Sequence, residues 1–395
     1  MPSDQVDHPV GDPLAWLLRT SHTLPPHLLA QAGAEALAAL GARSSCMYLV
    51  DHDHTVLHPA GPGTDDRATM AVDGTTGGRA FALERTVVAQ VDGGAQVWLP
   101  LIDGTARFGV VLVDLPGGPP DDAAVGRLEA VAALLAELVV AKGQYTDAVE
   151  HVRRRQHMSL AAELQRANLP PVALVTPRVA IAGMLIPAYE VAGDSFDYAL
   201  NPGALDVAVI DSVGHDTVSS LVTHLVQGSL RNSRRSGVDM IDAYAAADAA
   251  ITAVFHDLRF ATAAFGRLDL DSCRFRWVCA GHPRPLLFRN GRVIGELDAV
   301  PAPPVGLGAG PPLLNEAALE PGDSLVIYTD GVTEGGVRGQ ERFGIDRLID
   351  LMTRVIVDSL PPAERVRRLV NAVLEHSSYR LRDDTTIVLV QLGES

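Results

Sequence analysis

Basic charge is in short supply: 32 Lys and Arg stand against 48 Asp and Glu, a formal net charge of −16. Affinity for nucleic-acid backbones comes from clustered Lys and Arg, so no nucleic-acid partner is expected. A local patch can oppose the global sign, which leaves room for docking a basic or phosphorylated protein. Cysteine is scarce as well. Cys46, Cys273 and Cys279 form no CxxC pair and leave one thiol over, which fits reduced thiols in a cytosol. No long apolar run is present. The most apolar helical stretch, Val131 to Ala141, is short and contains Glu137, so it cannot span a bilayer. The N-terminus, MPSDQVDHPVGDP, lacks the positive and apolar regions of a secretory leader. A cytoplasmic protein with no membrane partner is expected. Two phosphate chemistries lack their motifs: there is no Cys-x₅-Arg loop and no GxxxxGK[ST] segment.

What is there is a chain of 395 residues, 47% hydrophobic, long enough for two domains. Residues 1–24 read as a flexible leader. Apolar residues then recur at helical spacing from Leu28 to Leu40, with Gly41 placed as a cap. Strand-like runs follow, including WLPLIDGTARFGVVLVD, a hairpin turning at Asp103-Gly104. A long helix spans Ala123 to Ala141. Helix, antiparallel sheet and closing helix make an α+β module over residues 25–142, and this order resembles a GAF domain. That resemblance implies a sensor that binds a small molecule or serves as a dimerisation module. It leaves a homodimer open and names no ligand. His52, His54 and His58, with Asp51 and Asp53, read as a polar loop between strands rather than a metal site. Residues 143–171 are charged and helix-forming up to Pro170-Pro171. They read as a helical linker, with Arg153–Arg155 on a solvated face.

The chemistry lies in residues 172–395. Four segments, AGDSFDY, VAVIDSVGHD, VIYTDG and RDDTTIVLV, each couple aspartate to an apolar, β-branched run. A strand-end aspartate is commonly structural, but four such segments in one domain point to hard oxygen ligands gathered at one end of a β-core. Clustered carboxylates cannot all ionise without a cation, and oxygen-only ligation suits Mg²⁺ or Mn²⁺. Two such ions would activate water and stabilise an in-line displacement at phosphorus, so phosphoester hydrolysis is the leading reaction.

The order and text of these segments resemble the sporulation-type (SpoIIE-like) branch of the metal-dependent PPM serine/threonine phosphatases. PAYEVAGDSFDY, the AGHPRP turn, LEPGDSLVIYTDGVTEG and FGIDRL extend the match over most of residues 172–393, and LAAELQRANLPP resembles the helix leading into such domains. The resemblance implies an αββα sandwich, two antiparallel sheets flanked by helices. It implies two metal ions, Mn²⁺ or Mg²⁺, bridged by Asp211 with the Ser212 carbonyl. Asp330 and Asp383 would complete one metal, and Asp194 would contact the other, mainly through water. Asp211 and Asp330 are thus the implied catalytic pair, while Asp197 and Asp384 are neighbouring carboxylates that could be outer-shell. The implied substrate is a phosphorylated STAS-domain anti-sigma-factor antagonist.

The text departs from the family twice. Ala192 stands where glycine is usual, and Gly214-His215-Asp216 replaces GHG or GKG. Asp216 either tolerates a left-handed turn or adds a carboxylate that alters metal preference. His215 is a candidate general acid, whereas His282 reads as a structural residue of its turn. Arg231, Arg234 and Arg235 read as a solvated helix end. Two rival functions are a pseudophosphatase that binds a phosphoprotein without turnover, and a small-molecule phosphoesterase.

Overall fold

The computed structural model describes residue 9 and residues 11–393, except 63, 65, 66, 105, 188, 191, 192, 215, 257, 337–340, 359, 380 and 382. The chain divides into two compact units, Met1–Gln156 and His157–Ser395. The first contains α1 (Pro13–Ser21), α2 (Leu29–Ala39), β1 (Ser44–Val50), β2 (Val56–Ala60), β3 (Met70–Ala71) and α3 (Thr76–Leu83). It continues with β4 (Val87–Val91), β5 (Gly94–Ile102), β6 (Arg107–Pro116), α4 (Asp122–Gly143) and α5 (Ala148–Arg153).

Its six strands form one antiparallel sheet in the order β3-β2-β1-β6-β5-β4. Alternation of side chains along each strand gives the sheet two covered faces. Met47 and Leu49 of β1 join Val97 and Leu99 of β5 beneath α1, α2 and α4. Tyr48 and Val50 join Trp98 and Phe81 on the α3 side. The expected hairpin is β5–β6, where Asp103 Oδ1 accepts the Ala106 N–H at 2.7 Å.

Residues 12–24 differ from the flexible leader expected for 1–24. Asp12 caps α1 through Leu14 N and Ala15 N, Pro13 occupies its first position, and Trp16 and Leu17 are buried. The polar start of the chain obscured an Asp-Pro start signal followed by an apolar face. Residues 143–171 fold as two short helices, one in each unit, rather than a continuous one. In the first unit Arg153 donates to the Val50 carbonyl at 3.0 Å, and Arg155 pairs with buried Asp51 at 2.9 Å. Arg153 and Arg155 are therefore tied to the end of β1 and the loop after it rather than free on a solvated face. Asp51 also accepts from Thr55 N at 2.7 Å and Val56 N at 3.0 Å, which organises the histidine-bearing loop.

The second unit contains α6 (Leu160–Asn168), β7 (Ala173–Val175), β8 (Val179–Ile186), β9 (Asp194–Asn201), β10 (Ala204–Ser212), α7 (Thr217–Arg235), α8 (Met240–Val254), β11 (Ala261–Asp269) and β12 (Arg274–Ala280). Then come β13 (Leu286–Arg289), β14 (Arg292–Glu296), β15 (Asn315–Ala318), β16 (Ser324–Tyr328), α9 (Asp330–Glu334), α10 (Gly344–Val357), α11 (Pro362–His376) and β17 (Thr385–Leu392). Two antiparallel sheets run β15-β12-β11-β10-β9 and β14-β13-β16-β17-β8-β7.

The period-2 pattern assigns the layers. Val207 and Val209 of β10 meet Val388 and Val390 of β17 in a core between the sheets, around Phe196 and Trp277. The alternate residues Ala208 and Ile210 pack on Val222 and Val226 of α7. On the outer side of the other sheet, Ile387 and Leu389 pack on Leu348 of α10 and Val370 of α11. Helices, sheet, sheet and helices make the expected αββα sandwich. All three cysteines are unpaired. Among the described residues no helix is long and apolar enough to cross a membrane.

Candidate metal centre

The expected carboxylates gather where β9 begins, β10 ends, β16 ends and β17 begins. Asp211 lies directly opposite Asp194 in the β9–β10 ladder and opposite Thr262 in the β10–β11 ladder. Asp330 opens α9 straight after β16, and Asp383 and Asp384 immediately precede β17. Gly331 is required here by space: a Cβ would stand 1.9 Å from the Asp384 carbonyl oxygen. The two sheets are tied at this end by the Asp384 carboxylate, which accepts the Gly193 N–H at 2.7 Å and the Asp194 N–H at 3.3 Å.

Exposure grades across the cluster. Asp194 and Asp384 are buried, Asp211 is intermediate, and Asp330 and Asp383 face solvent. Burial, then Asp330, Asp383 and Asp384, push the Asp211 carboxyl up to about 8, against a hydrogen bond from Thr262. Burial and the charges of Asp211 and Asp384 hold Asp194 well above the carboxylate range, opposed by Thr329 and Thr386. Asp330 is raised too: its side chain reaches the surface, yet nearby protein partly desolvates it, and Asp383 and Glu334 add repulsion.

These groups fit a hard divalent cation in donor type, since all are carboxylate oxygens whose mutual repulsion a cation would relieve. Among the described residues, however, no three His, Cys, Asp or Glu side chains form a ready-made cage. Mg²⁺ typically keeps several waters and takes only one or two carboxylates directly, so an open carboxylate rim suits it better than a closed cage would.

Asp197 does not join the cluster. Three residues beyond Asp194 on the same strand, it points to the opposite face. There Arg231 holds it at 2.7 Å and Arg234 at 3.1 Å. The arginines expected to be solvated are therefore partners of a buried carboxylate. Asp216 is neither a left-handed turn residue nor a candidate ligand. It is the N-cap of α7, with φ −119°, and accepts the Ser219 N–H at 2.9 Å in a capping box. Those hydrogen bonds hold its pKa down, while Gly214, at φ +105°, takes the left-handed position. His215 and Ala192 lie outside the described residues. His282 is buried, with Nδ1 2.9 Å from Thr262 Oγ1, and burial drives its pKa to about 3. Burial thus favours its neutral form, in keeping with a structural place in its turn.

Ser212 keeps its side chain inward, where Oγ donates to the Ser219 carbonyl at 2.8 Å. Sequence reasoning missed the polar groups that brace the aspartates. Thr329 and Thr386 both donate to Asp194 Oδ2 at 2.7 Å. Gln165 of α6 donates to the Asp194 carbonyl, and Thr223 to the Gly193 carbonyl. A signal existed for two of them, since VIYTDG and RDDTTIVLV place threonine beside the aspartates.

Carboxylates gathered at one end of an αββα sandwich are the arrangement that the resemblance to PP2C-type phosphatases leads one to expect. Residues 201–393 match the family described as stage II sporulation protein E (SpoIIE), and the second unit carries a SpoIIE/PP2C-type phosphatase domain. Phosphoserine phosphatase RsbU of Bacillus subtilis is 19% identical over 241 residues, 60% of this chain and 70% of RsbU. The RsbU and RsbW domains of a Mycobacterium tuberculosis protein share its fold at 26% identity and a TM-score of 0.50, over 56% of this chain and 63% of that one. Protein IcfG of Synechocystis is 32% identical over 95 residues, 24% of this chain and 15% of IcfG.

Proposed function

We propose that the second unit is a metal-dependent protein serine/threonine phosphatase, with Asp211 at the centre of its site. The observation that carries this reading is the Asp211 carboxyl, pushed up to about 8 by burial and three neighbouring aspartates. At neutral pH such a group is mostly protonated unless a nearby cation holds it as a carboxylate. Asp211, the Ser212 carbonyl, Asp330, Asp383 and Asp194 are the groups that would hold two divalent ions. When bound, Mn²⁺ or Mg²⁺ supplies the charge that activates water and stabilises the transferring phosphoryl group. The chain's own contribution is orientation. Asp330 and Asp383 stand on the solvent side, where a phosphorylated side chain would enter, while Asp194 and Asp384 anchor the closed end.

The name of one relative, phosphoserine phosphatase RsbU, supports a phosphoserine substrate, and the resemblance to SpoIIE-like phosphatases supports a STAS-domain protein as its bearer. The first unit, a GAF-like module, is the regulator in this reading, and a cavity of about 420 Å³ between α2 and its sheet offers a place for a small effector. Asp216 acts as a helix cap, so its charge lends no support to the pseudophosphatase reading.

The test is phosphate release from an aryl phosphate, then from a phosphorylated STAS protein, with and without Mn²⁺. Turnover that needs Mn²⁺ and disappears in Asp211→Asn supports the reading. Metal-independent turnover, or none on either substrate, refutes it.

A further inference from the structure

Thr329 is the N-cap residue of α9, yet its hydroxyl makes no capping bond. It is spent elsewhere. Thr329 Oγ1 accepts the Thr386 N–H at 2.9 Å, so its own proton is directed outward, to Asp194 Oδ2 at 2.7 Å. Thr386 Oγ1 donates to the same oxygen at 2.7 Å. Both threonines are fully buried and Asp194 nearly so, at 2%. Two hydroxyls on one carboxylate oxygen take up both of its lone pairs, leaving Oδ1 as the free acceptor.

We propose that Thr329 and Thr386 are positioning residues that clamp Asp194 as a one-oxygen ligand, with Oδ1 alone offered to the divalent cation. The inference rests on the metal-dependent reading above and deepens it. A carboxylate free to rotate can chelate through both oxygens or swing away, whereas the clamped one presents a single oxygen in a fixed direction. Partners that orient ligating carboxylates typically change metal affinity by about 10- to 100-fold when removed. The clamp joins the first residue of β9 to β17 and to the residue that follows β16, so the ligand's orientation is set from both sheets of the sandwich at once.

The experiment measures Mn²⁺ binding to the full chain by calorimetry, alongside the Mn²⁺ midpoint for aryl phosphate hydrolysis. Thr386→Val and Thr329→Val keep the shape and remove the donor. Each is expected to weaken Mn²⁺ binding about 10-fold or more, with KM for the aryl phosphate at saturating Mn²⁺ unchanged. Thr386→Ser, which keeps the hydroxyl, should restore binding. A merely structural role would lower the melting temperature of the valine variants while leaving Mn²⁺ affinity within about twofold of the parent, and that overturns the proposal.

Asp194→Asn gives a second route that does not depend on the valine variants folding. With the clamp present, the new amide oxygen takes the place of Oδ2 between the hydroxyls and the NH₂ group faces the cation. The protein then stays folded and loses Mn²⁺ affinity by about 100-fold or more. Without the clamp the amide can turn its oxygen to the cation, so affinity within about 10-fold of the parent overturns the inference. A parent chain that binds no Mn²⁺ at all overturns the metal reading itself, and this inference with it.

Discussion

Neutralising Asp211 should make the metal-free protein more stable, even though it destroys the site. In the fold this carboxyl is raised from 3.8 to about 8. A group raised in this way holds in the folded state a proton that the unfolded chain releases. Its stabilising contribution is complete below about pH 4 and is lost as pH climbs towards 8. At about 1.36 kcal/mol for each tenfold change, the loss would reach roughly 5 kcal/mol by pH 8. Neighbouring carboxylates titrate together and share the proton, so about 2–4 kcal/mol is the expected effect. Asp211→Asn removes the charge while retaining an acceptor for Thr262. Calorimetric melting in EDTA, from pH 5.5 to 8.5, would follow the second unit's transition. For a unit of this size the variant should melt about 5–15 °C above the parent at pH 8, and the gap should narrow steadily as the pH falls to 5.5. Mn²⁺ at 100 times its dissociation constant should return about 2.7 kcal/mol to the parent only. A parent whose melting is flat with pH in EDTA, or a variant less stable at pH 8, would refute the reasoning.

Three further outcomes follow from the geometry. Arg231→Met should destabilise the second unit by about 2–3 kcal/mol, because buried Asp197 is left with Arg234 alone. Mn²⁺ affinity by calorimetry should be unchanged, and a loss there would place Asp197 in the metal site after all. Asp216→Ala should cost about 1 kcal/mol in urea melts through the lost cap and leave the Mn²⁺ requirement of hydrolysis untouched; a changed metal preference would contradict the capping role. Gly331→Ala must displace the Asp384 carbonyl, which stands 1.9 Å from the new Cβ. Turnover at saturating Mn²⁺ should fall at least about 100-fold, and a fully active variant would show that the backbone here has room to move.

Much of the second unit was legible because its strands alternate cleanly and deliver aspartates at their ends. VAVID places Val207 and Val209 on one face and Ala208 and Ile210 on the other, and the cores follow that split. The same rule separates Asp194 from Asp197. AGDSFDY puts both aspartates in one short segment, however, and only its extended conformation in β9 reveals that the two carboxylates point apart. Partners of Asp197 lie 34 and 37 residues away, a separation that local pattern does not encode. Asp216 was weighed as a ligand because the text of the family drew attention to its charge. The Asp-x-x-Ser spacing to Ser219 was the better guide, being a helix-start signal of known mechanism. Likewise Asp12 and Pro13 announced α1 at a point where overall polarity suggested an unstructured leader.

The strand β17 is the last strand in sequence of the second unit, and it lies inside its sheet, between β16 and β8. Without it the strands made earlier have no common neighbour, and the Asp383-Asp384 pair that leads into it has no place. During synthesis, therefore, the clamp on Asp194 and the cation rim around Asp211 stay unassembled until this strand has cleared the ribosome. A nascent chain can complete its first unit while the second is still unassembled. Long-range pairing of this kind is intrinsically slow to form, so catalytic competence would arrive as a late, all-or-none event, and not in proportion to the length of chain already made.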